Sequence, residues 1–483
     1  MSMPTHVSPF AIAAPEILVF SMACVVLVVD LFLSDRSRFI SYLLAQLTLV
    51  GAFVLTLSGM SDASVHVFHG MFVRDPMADV LKLAIFAAVF IAFVYSREYL
   101  GERGLFRGEY YVLGLLGTCG MMVMVSASSF LTLYLGLELL SLNLYALVAF
   151  NRDSPLSTEA AMKYFVLGAI ASGMLLFGLS MLYGATGSLE MGAVHAAIAK
   201  LTPNHIVLVF GLVFVVVGLA FKVGAVPFHM WIPDVYHGAP TPVVVYIGTA
   251  PKIAAFAMIM RLLVGGLGGL SVSWQGMLII LAVLSMGLGN LVAIAQTNIK
   301  RMLAYSTISH MGFFLLGILS ATKNGYGSSM FYVLVYALMS LGAFGVVILL
   351  SRQGFESDRL EDFRGLGQRS PWAALLMLLL MFSMAGVPPT LGFYAKLLVI
   401  QSLVQQGLIW LAIVSVLMAV IGAYYYLRIV KLMYFDEPVA APAVEAHSDM
   451  RAVLSLNAIA VIALIPWVGS LIDLCREAIR AIS

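Results

Sequence analysis

Charge is scarce in this chain. Of its 483 residues only 10% are Asp, Glu, Lys or Arg, against 62% that are hydrophobic. A soluble globular domain carries about 25% charged residues. A chain this poor in charge cannot cover a water-facing surface, so lipid is its natural solvent. Cysteine is almost missing too. Cys24, Cys119 and Cys475 are the only three. They are far apart and form no CxxC pair or metal-ligand spacing, which argues against a metal or iron–sulfur site built by this chain alone. A net charge of +2 gives no reason to expect nucleic acid as a partner. No GxGxxG turn, Walker sequence or long polar insertion occurs, so nucleotides, flavins and haem have no evident place to bind. The N-terminus lacks a Lys/Arg-rich stretch and the first apolar run lacks a small-residue cleavage site, so that run is read as a span and not as a cleaved leader.

Long apolar runs are what the chain has in quantity. A helix needs about 20 apolar residues to cross a bilayer. Runs of that kind lie near 12–33, 40–60, 77–96, 110–126, 128–150, 160–184, 205–227, 241–264, 275–296, 300–320, 327–351, 371–404, 407–432 and 452–474. They predict an all-α integral membrane protein of about fourteen transmembrane helices. The 371–404 run is too long for one straight helix and contains Gly386, Pro388 and Pro389, so a break is expected in its middle. With the N-terminus outside, fifteen of the 26 Lys and Arg, Arg36 among them, fall in inside loops and six, Arg261 among them, outside. That bias sets both termini outside and agrees with an even number of spans. A repeat is also visible. Phe221-Lys-Val-Gly-Ala-Val-Pro227 in the seventh run and Phe382-Ser-Met-Ala-Gly-Val-Pro388 in the twelfth share Phe, Val and Pro at equal spacing. Five spans separate them, and an odd offset turns one copy over relative to the other. Inverted repeats with paired broken helices point at a transport site.

Five lysines, Lys82, Lys163, Lys222, Lys252 and Lys396, lie within these runs. A Lys at the bilayer centre costs roughly 2.5–3.5 kcal/mol on insertion scales. The residue type matters. A buried Lys can lose and regain a proton, whereas Arg stays charged. A row of lysines is therefore a candidate proton relay. Lys222 lies five residues before Pro227, where freed carbonyls and a hydrated cavity are expected. Lys252 follows Pro251 near the middle of its run, and Lys396 follows Pro388 by eight residues. Lys163 is closer to an inside end, so snorkelling competes with a relay role there, and for Lys82, near the start of its run, snorkelling is the expectation. Glu138 is the one carboxylate deep in a run and the natural partner of a buried lysine, with Lys222 and Lys163 both candidates. Glu16, Asp30 and Asp79 are placed at interfaces. His310 is either a bridge between lysine sites or a hydrogen-bonded packing residue. His229, Asp234 and His237 follow the expected break and either line a proton path or hold a loop.

Several stretches carry a resemblance: Ala14-Pro-Glu-Ile17, Leu137-Glu-Leu-Leu-Ser-Leu142, Glu159-Ala-Ala-Met-Lys-Tyr-Phe165, Val226-Pro-Phe-His-Met-Trp-Ile-Pro-Asp-Val-Tyr236 with Gly238-Ala-Pro-Thr-Pro242, and Lys300-Arg-Met-Leu-Ala-Tyr-Ser306. Through them the chain resembles, nearly end to end, the subunit N family of bacterial proton-pumping NADH:quinone oxidoreductase, respiratory complex I. This is an antiporter-like family that also resembles Mrp-type cation/proton antiporter subunits. The resemblance implies two inverted five-helix repeats with two broken helices. It divides the chain into a three-helix segment (1–109), a first repeat (110–264), a second repeat (265–432) and a C-terminal helix (433–483). It implies Glu138 and Lys222 as an interacting pair, Lys252 as a central relay and Lys396 as the far relay, with Lys163 and His310 as further relay candidates. No cofactor is expected on this chain; NADH, FMN, iron–sulfur clusters and quinone belong to partner subunits. The implied partners are other membrane subunits of complex I, including a neighbouring antiporter-like subunit, within the bacterial inner membrane and with both termini periplasmic. Two other readings stay open: an Mrp-type antiporter subunit, and a structural membrane subunit whose lysines bind carboxylates or lipid head groups.

Overall fold

The computed structural model describes residues 8–35, 37–201, 206–438 and 448–480. Arg36, counted above among the inside positive charges, lies outside the described residues. Helices account for nearly all of the described chain; a hairpin of two three-residue strands, Val65–Val67 and Phe72–Arg74, is the exception among named elements. Eleven helices among the described residues are long and apolar enough to cross a membrane. A twelfth candidate is the bent pair Ser448–Ala463 and Ile465–Ile479. The first apolar run forms Ala14–Asp30, 17 residues long, and the twelfth forms two halves, Pro371–Ala385 and Leu391–Gln405.

Local sequence explains where these helices begin. Pro76, Pro155 and Pro371 each occupy a first helical turn, where a missing N–H costs nothing and φ is preset. Asp75 caps its helix by accepting from the Ala78 amide at 2.8 Å, and Asn298 and Thr322 cap Ile299–Leu319 and Lys323–Leu350 in the same way. Burial sorts the helices. Thr241–Gly266 is enclosed along its whole apolar window, and Ile299–Leu319 and Lys323–Leu350 nearly so. Pro155–Thr186 and Ile409–Phe435 show two thirds of theirs to the outside. The most enclosed helices therefore make the interior, with outward apolar faces on the peripheral ones.

Both expected breaks are present. Ile206–Val223 ends ahead of a turn and Trp231–Gly238 resumes the helix; Pro371–Ala385 ends and Leu391–Gln405 resumes. The residue that stops each first half is a glycine, not the proline. Gly224 (φ +81°) and Gly386 (φ +86°) are left-handed. Around each, the same two amides fold back on one carbonyl: Gly224 N and Ala225 N on Ala220 O, and Gly386 N and Val387 N on Phe382 O. This glycine C-cap satisfies carbonyls that the helix end leaves free. The cap geometry aligns Gly224 with Gly386, one residue off the Phe–Val–Pro match.

The last apolar run also departs from expectation. It is not one straight span over 452–474; its two helices meet at 52°. Pro466 sits in the short turn between them, removing an amide and crowding the preceding turn.

Candidate functional site

Three of the buried lysines, Lys222, Lys252 and Lys396, rest on uncharged oxygen. Lys222 occupies the last turn of Ile206–Val223, and its Nζ donates to Ser141 Oγ at 3.1 Å. Lys252, from Thr241–Gly266, donates to Val223 O at 2.8 Å. Lys396, from Leu391–Gln405, donates to Met384 O and Ala385 O, both at 2.9 Å. Lys252 and Lys396 thus do the same job at the two breaks. Each places an ammonium on the final carbonyls of an interrupted helix, the negative end of its dipole. Each also lies over an aromatic ring, Trp231 at 5.2 Å and Phe313 at 5.1 Å. The glycine caps make room for this. A Cβ on Gly386 would lie 3.0 Å from Lys396 Cδ. Among the described residues, no carboxylate is within 4.0 Å of these three ammonium groups.

Glu138 shares a small cavity with Lys222. The cavity holds about 20 Å³ and is lined by Glu138, Ser141, Ser172 and Lys222 together with Tyr145 and Tyr164. That is room for about one water molecule. Ser172 donates to Glu138, and Tyr134 joins Ser172 at 3.1 Å. Glu138 and Lys222 are brought to one chamber without a direct ion pair, each held by a serine. Lys163 is not the partner of Glu138. Its side chain is 45% exposed and paired with Glu159 at 2.8 Å and Asp234 at 2.9 Å. Asp234 also binds Arg301 at 3.0 Å, so it ties helices together. His310 is buried in a tyrosine cage, with Tyr332 OH 2.7 Å from Nδ1 and Tyr426 OH 3.0 Å from Nε2. Tyr426 continues to Ser306 at 2.5 Å, which makes a line of exchangeable hydroxyl protons through the imidazole.

Comparisons with known proteins place the chain in a family. A family model described as NADH:quinone oxidoreductase/Mrp antiporter, TM, matches residues 127–422. The NADH-quinone oxidoreductase subunit N of Thiobacillus denitrificans is 58% identical over 479 residues, which is 99% of this chain and 99% of the relative. The chain belongs to the NADH-quinone oxidoreductase subunit N family. A chain of the respiratory complex I from Thermus thermophilus with bound Aureothin matches at 30% identity and a TM-score of 0.82, over 95% of this chain and 98% of that one. A chain of the Mrp complex from Dietzia sp. DQ12-45-1b matches at 20% identity and a TM-score of 0.86, over 98% of both chains. At that identity it shows the shared fold alone.

For this subunit N family member, the sequence reading misplaced one group of charges. Lys82 does not snorkel. Its side chain is 2% exposed and lies 2.5 Å from Glu16, over the Phe72 ring. Glu16 and Asp79 are likewise buried, not interfacial; Asp79 pairs with Arg74 at 3.2 Å. Arg261, counted outside, lies inside Thr241–Gly266. It grips Asp75 through two bonds of 2.6 and 2.9 Å and also donates to Val125 O. Glu138 is therefore not the one carboxylate held within the bundle. The signal available in sequence was the density of both signs of charge, Arg74, Asp75, Asp79 and Lys82, around the start of Pro76–Glu102. Nearness to a span end suggested water, whereas packing on every side removed it.

Proposed function

We propose that this chain is the proton-translocating antiporter-like membrane subunit of an NADH:quinone oxidoreductase. The oxidation of NADH and the reduction of quinone, with the FMN and iron–sulfur clusters they require, belong to partner subunits, among them a neighbouring antiporter-like one. One observation carries the reading: Lys222, Lys252 and Lys396 are buried on neutral oxygens, while Lys82 and Lys163 are neutralised by carboxylates. A lysine held by serine or carbonyl oxygen is not locked in its charged form by a counter-charge, so it can load and release a proton. Lys222 is the loading site, modulated through the one-water chamber by Glu138. Lys252 is the central carrier and Lys396 the far one. His310 and its hydroxyl line are the bridge between the lysine sites, and Lys163 links the relay to the Glu159–Asp234 cluster.

The matching glycine caps and lysine contacts support two inverted five-helix repeats, 110–264 and 265–432, between a three-helix segment (1–109) and a C-terminal helix (433–483). Adding the first run, the broken twelfth run and the bent pair to the eleven long helices gives fourteen spans. The inside excess of Lys and Arg supports a bacterial inner-membrane placement with both termini periplasmic.

The test is proton pumping during NADH oxidation in sealed vesicles that carry the assembled complex. Lys222→Ala should leave the complex assembled and its pumping reduced. Full pumping with normal assembly would make the lysine structural and sink the proposal.

A further inference from the structure

Two cavities meet beside the bent C-terminal helices, outside the proton path. The first, of about 630 Å³, has a charged rim that includes Asp62, Glu477 and Arg480. The second, of about 250 Å³, is apolar. Leu474 lines both, and one helix supplies a wall to each. Along Pro76–Glu102 the wall runs from Pro76 and Val80 in the first cavity to Ala84, Ala88 and Ile91 in the second. These positions recur every three or four residues, so they form one stripe on one face. From residue 76 to residue 91 the stripe measures about 22 Å at 1.5 Å per residue. One leaflet contains roughly 15 Å of hydrocarbon, so the groove reaches from headgroup level to the bilayer centre.

The opposite wall agrees on polarity. Leu464 and Leu471 line the apolar part, Leu474 lines both, and Glu477 and Arg480 line the mouth. Two helices running in opposite directions thus place their charged ends together and their apolar ends together. The 52° bend at Pro466 opens the angle between them. The small side chains of Ala84, Ala87 and Ala88 leave width on the other side.

We infer that this groove binds a single phospholipid with a primary ammonium headgroup, of the phosphatidylethanolamine type. The mouth carries both signs. Arg480 lies 4.0 Å from Glu477, and Asp62 adds a second carboxylate to the rim. A phosphate on Arg480 and an ammonium donating to Asp62 and Glu477 satisfies all three. An anionic headgroup lacking the ammonium meets two like charges, and a quaternary headgroup has no N–H to donate. The acyl chain fills the apolar part, whose floor includes Ile253, next to Lys252, and Leu391, at the start of the half-helix that carries Lys396. A bound chain there is a hydrocarbon seal beside the relay helices.

The experiment uses the assembled complex in vesicles of phosphatidylethanolamine and phosphatidylglycerol, with photoactivatable acyl-chain probes of both lipids. The phosphatidylethanolamine probe is expected to label the segments around Ala87 and Leu471. Ala87→Trp fills the groove and should abolish that label. The double variant Asp62→Asn, Glu477→Gln alters only the exposed mouth. It should keep the label but lower the preference for phosphatidylethanolamine over phosphatidylglycerol about fivefold, the scale of exposed charge pairs. If Ala87→Trp fails to assemble, the double variant decides alone. Equal labelling by both probes in the unaltered protein marks ordinary surrounding lipid and overturns the inference. So does an unchanged preference in the double variant, or a cross-link from the groove to a neighbouring subunit.

Discussion

Lysine has two different uses in this protein, and the partner atom tells them apart. Lys82 meets Glu16 at 2.5 Å; Lys222 meets a serine hydroxyl. A fixed positive charge suffices for the first kind of site, and arginine could supply it. The second kind needs a group that gives up its proton. Lys222→Arg should therefore impair pumping nearly as much as Lys222→Ala, with assembly retained. Full pumping in the arginine variant would reduce Lys222 to a fixed charge. Glu138 acts on Lys222 across a chamber the size of one water, so their contributions should be coupled. Glu138→Gln and Lys222→Ala, compared singly and together by pumping rate, should be non-additive by about 0.5–3 kcal/mol in free-energy units. Glu138→Gln combined with Lys396→Ala should come closer to additivity. Strict additivity in the first pair would end the pairing of Glu138 with Lys222. The burial of Lys222, Lys252 and Lys396 was legible in sequence from the apolar runs that hold them, and the burial of Lys82 was not. The separation of Lys163 from Glu138 was not, since it depends on the distant Asp234.

At the scale of the element, the interrupted helices carry the chemistry. Each ends in a left-handed glycine, and each receives a lysine on its last carbonyls. Alanine at such a backbone position costs roughly 1–2 kcal/mol. Gly386→Ala adds a Cβ at 3.0 Å from Lys396 Cδ, whereas Gly407, also left-handed at φ +74°, has open space around it. Both substitutions should strain the backbone by similar amounts. Gly386→Ala should in addition lower the pumping rate several-fold in assembled complex, and Gly407→Ala should leave it near the parent value. Equal pumping in the two variants would mean that the cap does not position the lysine. The prolines had announced both breaks, but the handedness of the backbone chose the stopping residue.

On the scale of the whole molecule, buried ion pairs join the N-terminal helices to the rest. Arg261 holds Asp75 and Val125 O in one grip between three helical segments. Arg261→Ala leaves the Asp75 carboxylate buried without its counter-charge, a loss of about 3–5 kcal/mol. The double variant Arg261→Ala, Asp75→Asn should recover part of it. Thermal unfolding of the assembled complex is the measurement, and equal stability of the single variant and the parent would show the pair to be dispensable. Topology is testable at the same scale. A reporter fused after Ser483 should be active on the periplasmic side; activity confined to the cytoplasm would invert the proposed orientation.

Sequence by itself determined the membrane as solvent, the helical class and eleven or twelve of the spans. Those properties depend on composition and on position along the chain, and a bilayer of fixed thickness reads them directly. Tertiary structure alone decided which charges are neutralised. Glu16 finds Lys82, Asp75 finds Arg261 and Lys163 finds Asp234 across 66, 186 and 71 positions of chain. It also put Lys252 and Lys396 on two helix ends with the same cap, and it bent the final helices into a groove. The physical reason is that the free energy of a buried charge depends on the atoms within a few ångströms, and packing selects those atoms without regard to their separation in sequence.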